Sequence, residues 1–113
     1  MIPQEKDCSK AMLSIKDALE AVSGNWKLLI LYSLCSGPKR FNELKKEVIS
    51  ITDKTLAREL KNLQTDKLIR RQVHDNTSVL IEYEITDHGR SLNKVLYELW
   101  SWGLSHRKEV IGR

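Results

Sequence analysis

From Arg40 to Arg71 the chain strings together a short helix pattern (Phe41 to Val48), a tight turn, a second helix pattern (Thr52 to Thr65) and the start of a strand. That order is a helix-turn-helix feeding a β-ribbon. On a helix turning roughly 100° per residue, Leu56, Leu60 and Leu63 stack on one side of the second pattern, and Lys54, Arg58 and Lys61 project from the other. An apolar back and a cationic front suit a helix that packs on its own domain and enters a DNA groove.

Charge is concentrated in the same place. The whole chain carries a net +4, which by itself is a weak signal. Between Pro38 and His74, however, ten basic residues face five acidic ones, net +5, and the remaining nine basic and ten acidic residues give −1. A positive excess confined to the helix-turn-helix is the electrostatic footprint of phosphate binding. The competing interpretation is a solvated basic face with no partner.

The elements around this segment follow from periodicity. Asp7 is placed to cap a first helix that carries Cys8, Ala11, Met12, Ile15, Ala18, Leu19 and Val22 along one face, with Gly24 ending it. A second helix starts near Asn25 and holds Trp26, Leu28, Leu29, Ile30, Leu31 and Leu34, apolar nearly all round, which marks it as the central core element. Gly37-Pro38 stops it. Phe41, Leu44, Val48 and Ile49 give the third helix an inward face, and Thr52 caps the fourth.

After Asp66 the period drops from about 3.6 to 2. Ile69 to Val73 and Val79 to Ile85 form two antiparallel strands, with Ile81, Tyr83 and Ile85 alternating against Glu82 and Glu84. Asp75, Asn76, Thr77 and Ser78 make a polar hairpin tip, a candidate wing. Thr86 then caps a long final helix from about His88 to Val110. The expected fold is mostly α with a small β-hairpin, a winged helix-turn-helix. No repeat or linker divides it, so residues 1–113 are expected to form one domain, with the helix-turn-helix at about 41–65 and the wing at about 69–86.

The final helix carries more apolar surface than one small domain can cover. Leu92, Val95, Leu96, Leu99 and Trp102 form one stripe, and Tyr97, Trp100 and Leu104 widen it beyond half the circumference. A helix apolar over such an arc is buried from two directions, and in a chain of 113 residues the second direction is expected to be another subunit. The alternative is that all of these residues serve the monomer core. The first helix lies outside the helix-turn-helix and is the natural partner, so Ile15, Leu19, Leu99, Trp100 and Trp102 are the candidate dimer contacts.

Other function classes find little support. His74, His88 and His106 lack the paired spacing of a zinc site, the five glycines are scattered rather than gathered into a phosphate-binding loop, and no motif activates a serine or cysteine. No metal, cofactor or catalytic residue is expected. Met1 to Asp7 has no signal-peptide character, and the longest apolar run, Leu28 to Tyr32, is far shorter than the roughly 20 residues of a membrane span. Two distant cysteines, Cys8 and Cys35, fit a reducing cytoplasm. A winged-helix adaptor that binds only protein stays open, because fold does not fix function. Steep salt dependence separates a DNA binder from an apolar adaptor.

One set of residues in order carries a family resemblance. It comprises Cys8, Gly24-Asn25-Trp26-Lys27, Arg40-Phe41-Asn42-Glu43-Leu44, Ile51-Thr52-Asp53-Lys54-Thr55-Leu56 with Leu60 and Leu63, Leu68-Ile69-Arg70-Arg71, Glu82-Tyr83 before Ile85-Thr86 with Gly89, and Leu99-Trp100 with Trp102-Gly103. Over nearly its whole length the chain resembles the HxlR family of bacterial winged-helix transcriptional regulators. The resemblance implies a homodimer held by the first and last helices, with two recognition helices in successive major grooves of an inverted-repeat operator. The wing departs from the family, with Asn76-Thr77-Ser78-Val79 where prolines and basic residues are common, and this shifts the backbone contact to Arg70 and Arg71.

The candidate DNA-binding set is therefore Arg40, Lys54, Thr55, Arg58, Lys61, Arg70 and Arg71. Thr55 and Arg58 are placed for base edges, and Lys54 and Lys61 for phosphates. Cys8 is the candidate redox sensor. A helix start and the neighbours Lys6 and Lys10 favour its thiolate, Asp7 opposes it, and a packed or idle thiol is the alternative. In some members of the resembling family a cysteine at this place senses oxidants or quinones. Cys35, on an apolar helix, is expected to be a small core residue.

Overall fold

The computed structural model describes residues 8–75 and 79–112. Six helices and one hairpin follow in the order α1 (Cys8–Ala21), α2 (Lys27–Leu34), α3 (Phe41–Glu47), α4 (Asp53–Thr65), β1 (Ile69–Asp75), β2 (Val79–Ile85), α5 (Asp87–Arg90) and α6 (Asn93–Ile111). The proposed cap Asp7 and the wing-tip residues Asn76, Thr77 and Ser78 lie outside the described residues.

One core forms where α2, α3, α4 and the hairpin base converge. Ile30, Leu31 and Leu34 of α2 meet Leu44 of α3, Val48 and Ile51 of the turn, Leu56, Leu60 and Leu63 of α4, and Leu68, Ile69 and Ile85. All of these are buried, so truncating any one of the α4 leucines to alanine would cost about 2–5 kcal/mol. α2 is the central element expected, but it is not apolar all round in use: Leu29 and Tyr32 face outward. Cys35 sits at the edge of the core, half-buried, where its thiol donates to Asn93 Oδ1 at 3.3 Å.

The turn between α3 and α4 explains a misplaced residue. Ile49 was expected inside and is 81% exposed, because Val48 ends the helix and Ser50 then takes a left-handed conformation (φ 71°) that redirects the chain and turns Ile51 inward instead. Thr52 caps α4 as its position suggests, its Oγ1 accepting from the Thr55 N–H at 3.1 Å. At the other end Lys67 adopts φ 62°. Its N–H donates to the Gln64 carbonyl and the Leu68 N–H to the Leu63 carbonyl, both at 3.0 Å, a Schellman closure with Leu63 and Leu68 in contact with the core.

The hairpin is antiparallel with Ile69 opposite Ile85, Arg71 opposite Tyr83 and Asp75 opposite Val79. Strand β1 runs two residues past the expected Val73. Lys39, just before α3, extends the sheet by exchanging two backbone hydrogen bonds with Tyr83, at 2.9 and 2.8 Å. Its ammonium also reaches Glu47 at 2.9 Å, and together with the Ser33 hydroxyl, which contributes more, holds that carboxyl below the usual carboxylate range.

The final helix is two helices rather than one. Thr86 caps only the short α5, accepting from the Gly89 N–H at 3.0 Å, and the chain bends through Ser91 and Leu92 before α6 begins at Asn93. α5 is pinned to the core through Gly89 and the bend after it through Leu92, whereas α6 contains no buried residue. α1 likewise stands apart, with Met12, Leu13, Ile15 and Leu19 exposed. Of its expected apolar face, Met12, Ile15 and Leu19 are left uncovered by the other described residues.

Candidate nucleic-acid interface

The outer face of α4 carries Lys54, Arg58 and Lys61, all exposed, directly opposite Leu56, Leu60 and Leu63. Core burial on one side therefore dictates which side chains stand in solvent on the other. The helix N-terminus is fixed twice: by the Thr52 cap, and by Lys45 of α3, whose Nζ lies 2.6 Å from Asp53 Oδ1. This ion pair links the two helices of the motif and was not visible in periodicity.

The remaining candidates differ in their freedom. Thr55 is half-buried, and its hydroxyl accepts from Thr52 Oγ1 at 2.9 Å, which leaves its own proton free to donate. Arg40 opens α3; its backbone N–H donates to Glu43 Oε1 at 2.8 Å, and its side chain is exposed. Arg58 is exposed, but its Nε lies 3.4 Å from Glu59 Oε1.

Arg70 and Arg71 point to opposite faces of β1, as the period of 2 requires. Arg70 lies across from Glu84 and is gripped by it, Nη2 to Oε1 at 3.3 Å and Nε to Oε2 at 3.4 Å. Farther along the same face His74 Nε2 stands 3.0 Å from Glu82 Oε1. Arg71 shares the other face with Ile69 and Val73 and, among the described residues, is paired with no carboxylate. Glu84 thus offsets the charge of Arg70 and leaves Arg71 unpaired among the described residues, so the two arginines are not equivalent phosphate contacts.

The candidate dimer residues are all on the surface. Leu99 and Trp100 line an apolar groove between α2 and α6, together with Leu28, Leu29, Tyr32 and Tyr97, of about 830 Å³. Trp102 lies toward Lys94 and Val95 on another side of α6 and stacks on His106, ring centroids 4.6 Å apart. Ile15 and Leu19 project from α1 and border neither surface. Within one chain the structure therefore brings Leu99 and Trp100 together and leaves the α1 residues apart from them. Cys8 is the first residue of α1.

A capped, basic recognition helix seated on a three-helix core and followed by a β-hairpin defines a winged helix-turn-helix DNA-binding transcriptional regulator. The HxlR-like helix-turn-helix family model matches residues 21–110. The chain belongs to the HxlR family. It is 39% identical over 103 residues to the HTH-type transcriptional regulator YtcD of Bacillus subtilis, covering 91% of this chain and 82% of that one. Among solved structures it is similar to the redox regulator HypR in its reduced form, with a TM-score of 0.81, 30% identity, and coverage of 88% of this chain and 99% of that one. It is also similar to the reduced form of the transcriptional regulator YodB from B. subtilis, with a TM-score of 0.73, 34% identity, and coverage of 79% and 87%. No helix among the described residues is long and apolar enough to cross a membrane.

Proposed function

We propose that the protein is a cytoplasmic, non-enzymatic regulator that binds an inverted-repeat operator as a homodimer, each subunit a single domain inserting α4 into a major groove. The observation that carries this reading is the division of α4 between three buried leucines and three exposed cations. Thr55 and Arg58 face base edges, and Arg40, Lys54, Lys61 and Arg71 engage phosphates, with Arg70 joining them once it exchanges Glu84 for DNA. The dimer is held by Ile15 and Leu19 of α1 and by Leu99, Trp100 and Trp102 of α6, apolar side chains that a lone subunit leaves in water.

Random-site selection followed by footprinting tests this reading. The expected product is an inverted repeat with half-sites roughly 34 Å apart or a multiple of it. An asymmetric single half-site would remove the two-fold model, and apolar protein binding insensitive to salt would favour an adaptor instead.

Cys8 supplies the signal input in this reading. Related structures include HypR in reduced and oxidised forms and YodB bound to quinone, and Cys8 stands at the head of the α1 helix assigned to the interface. Forming a disulfide there, or alkylating the sulfur, changes the spacing of the two recognition helices. Non-reducing electrophoresis and DNA titration after oxidant or quinone treatment are the test. Identical responses of the wild type and Cys8→Ser would exclude Cys8 as the sensor.

A further inference from the structure

Glu59 is an anomaly on a helix that meets a polyanion. It lies in the middle of α4, yet its side chain is only 8% exposed, and so is almost wholly removed from the DNA-facing surface that its neighbour Arg58 occupies at 60%. A buried carboxylate is costly unless both oxygens are satisfied. Here they are divided. Oε2 lies 3.4 Å from Lys27 Nζ of α2, itself only 9% exposed, and Oε1 lies 3.4 Å from Arg58 Nε. Lys27 is held in turn by Ser23, whose hydroxyl and carbonyl lie 3.4 and 3.5 Å from its Nζ.

This arrangement assigns work to Lys27, part of the Gly24-Asn25-Trp26-Lys27 run that DNA contact leaves unexplained. Lys27 offsets the charge of Glu59 across the Nζ to Oε2 contact, so the acid adds little repulsion toward phosphates. Glu59 then holds one N–H of the Arg58 fork at Nε, and among the described residues neither terminal amino group is bonded to it. A guanidinium fixed at Nε needs less ordering when it pairs with the O6 and N7 acceptors of guanine. An arginine on the helix surface without that anchor would sample many rotamers and meet phosphates as readily as bases.

We propose that Glu59, braced by Lys27, is the positioning residue that aims Arg58 at a guanine edge and so sets base preference at one operator position. The proposal rests on the reading of Arg58 as a base contact, and the experiment separates the two. Full-length wild type, Arg58→Ala, Glu59→Gln and the apolar replacement Lys27→Met/Glu59→Met are titrated by fluorescence anisotropy. The duplexes are the selected operator, operators changed at each base pair, and a random duplex. The double variant removes the charge pair as a unit, which keeps the core filled, and its thermal melt is recorded alongside.

The expected result is that Glu59→Gln and the double variant lose about three- to tenfold in operator affinity. Their preference flattens at the same base pair as in Arg58→Ala, and binding to random duplex is unchanged. If the double variant melts like the wild type and keeps full preference at that base pair, Glu59 is structural only and the proposal is overturned. If Arg58→Ala itself leaves every base preference intact, the base-contact reading fails and the proposal falls with it. Should the variants melt below assay temperature, the free wild-type protein decides. A sharp, slowly exchanging Arg58 Nε–H resonance supports the anchor, and one averaged with the other arginines overturns it.

Discussion

Gly89 of α5 presses on the carbonyl of Leu68 so closely that a Cβ at position 89 would stand 2.2 Å from that oxygen and 2.6 Å from Ile85 Cγ1. The same carbonyl accepts from the Thr86 N–H and from Thr86 Oγ1, both at 3.0 Å. The end of the recognition helix, the base of the wing and the start of the C-terminal segment are therefore joined at one peptide group. Because the blocking atom is backbone, no side chain can move aside. Gly89→Ala is expected to lose about 1–3 kcal/mol in urea denaturation. An unchanged midpoint would mean that α5 is not docked on Leu68.

Lys67 gives a prediction of the opposite sign. It occupies the left-handed position that closes α4, where its Cβ is disfavoured and glycine is not. Lys67→Gly is expected to raise stability by about 1 kcal/mol, measured on the same denaturation curve. A loss of stability would show that the lysine side chain contributes more than its backbone strain costs.

Leu99 and Trp102 test the proposed assembly. Replacing both with polar residues leaves the monomer core untouched, since neither is buried in it. Sedimentation is expected to report monomers with wild-type circular dichroism and weaker DNA binding, because the second half-site no longer adds to affinity. Dimers of unchanged stability would place the interface elsewhere.

What the sequence revealed tracks how local each determinant is. The α4 face was legible because Leu56, Leu60 and Leu63 repeat at helical spacing, and the hairpin because Ile81, Tyr83 and Ile85 alternate. Ile49 was misjudged because periodicity carries no notice of a left-handed Ser50. The break at Ser91 was hidden for a related reason: apolar spacing continues through Leu92, and what separates α5 from α6 is the contact of Gly89 with a carbonyl 21 positions earlier in the chain. The Arg70–Glu84 pair could have been found by writing out the hairpin register. The Lys27–Glu59 pair could not, since it joins two helices whose packing is set by the whole core.

The central claim is that α4 reads DNA sequence through Arg58, and anisotropy titrations of wild type and Arg58→Ala on the selected operator and on random duplex test it most directly. The account predicts that Arg58→Ala loses about 1–3 kcal/mol on the operator, relaxes preference at one base pair, and leaves random-duplex binding nearly unchanged. Equal losses on both duplexes would make Arg58 a phosphate contact and contradict the account.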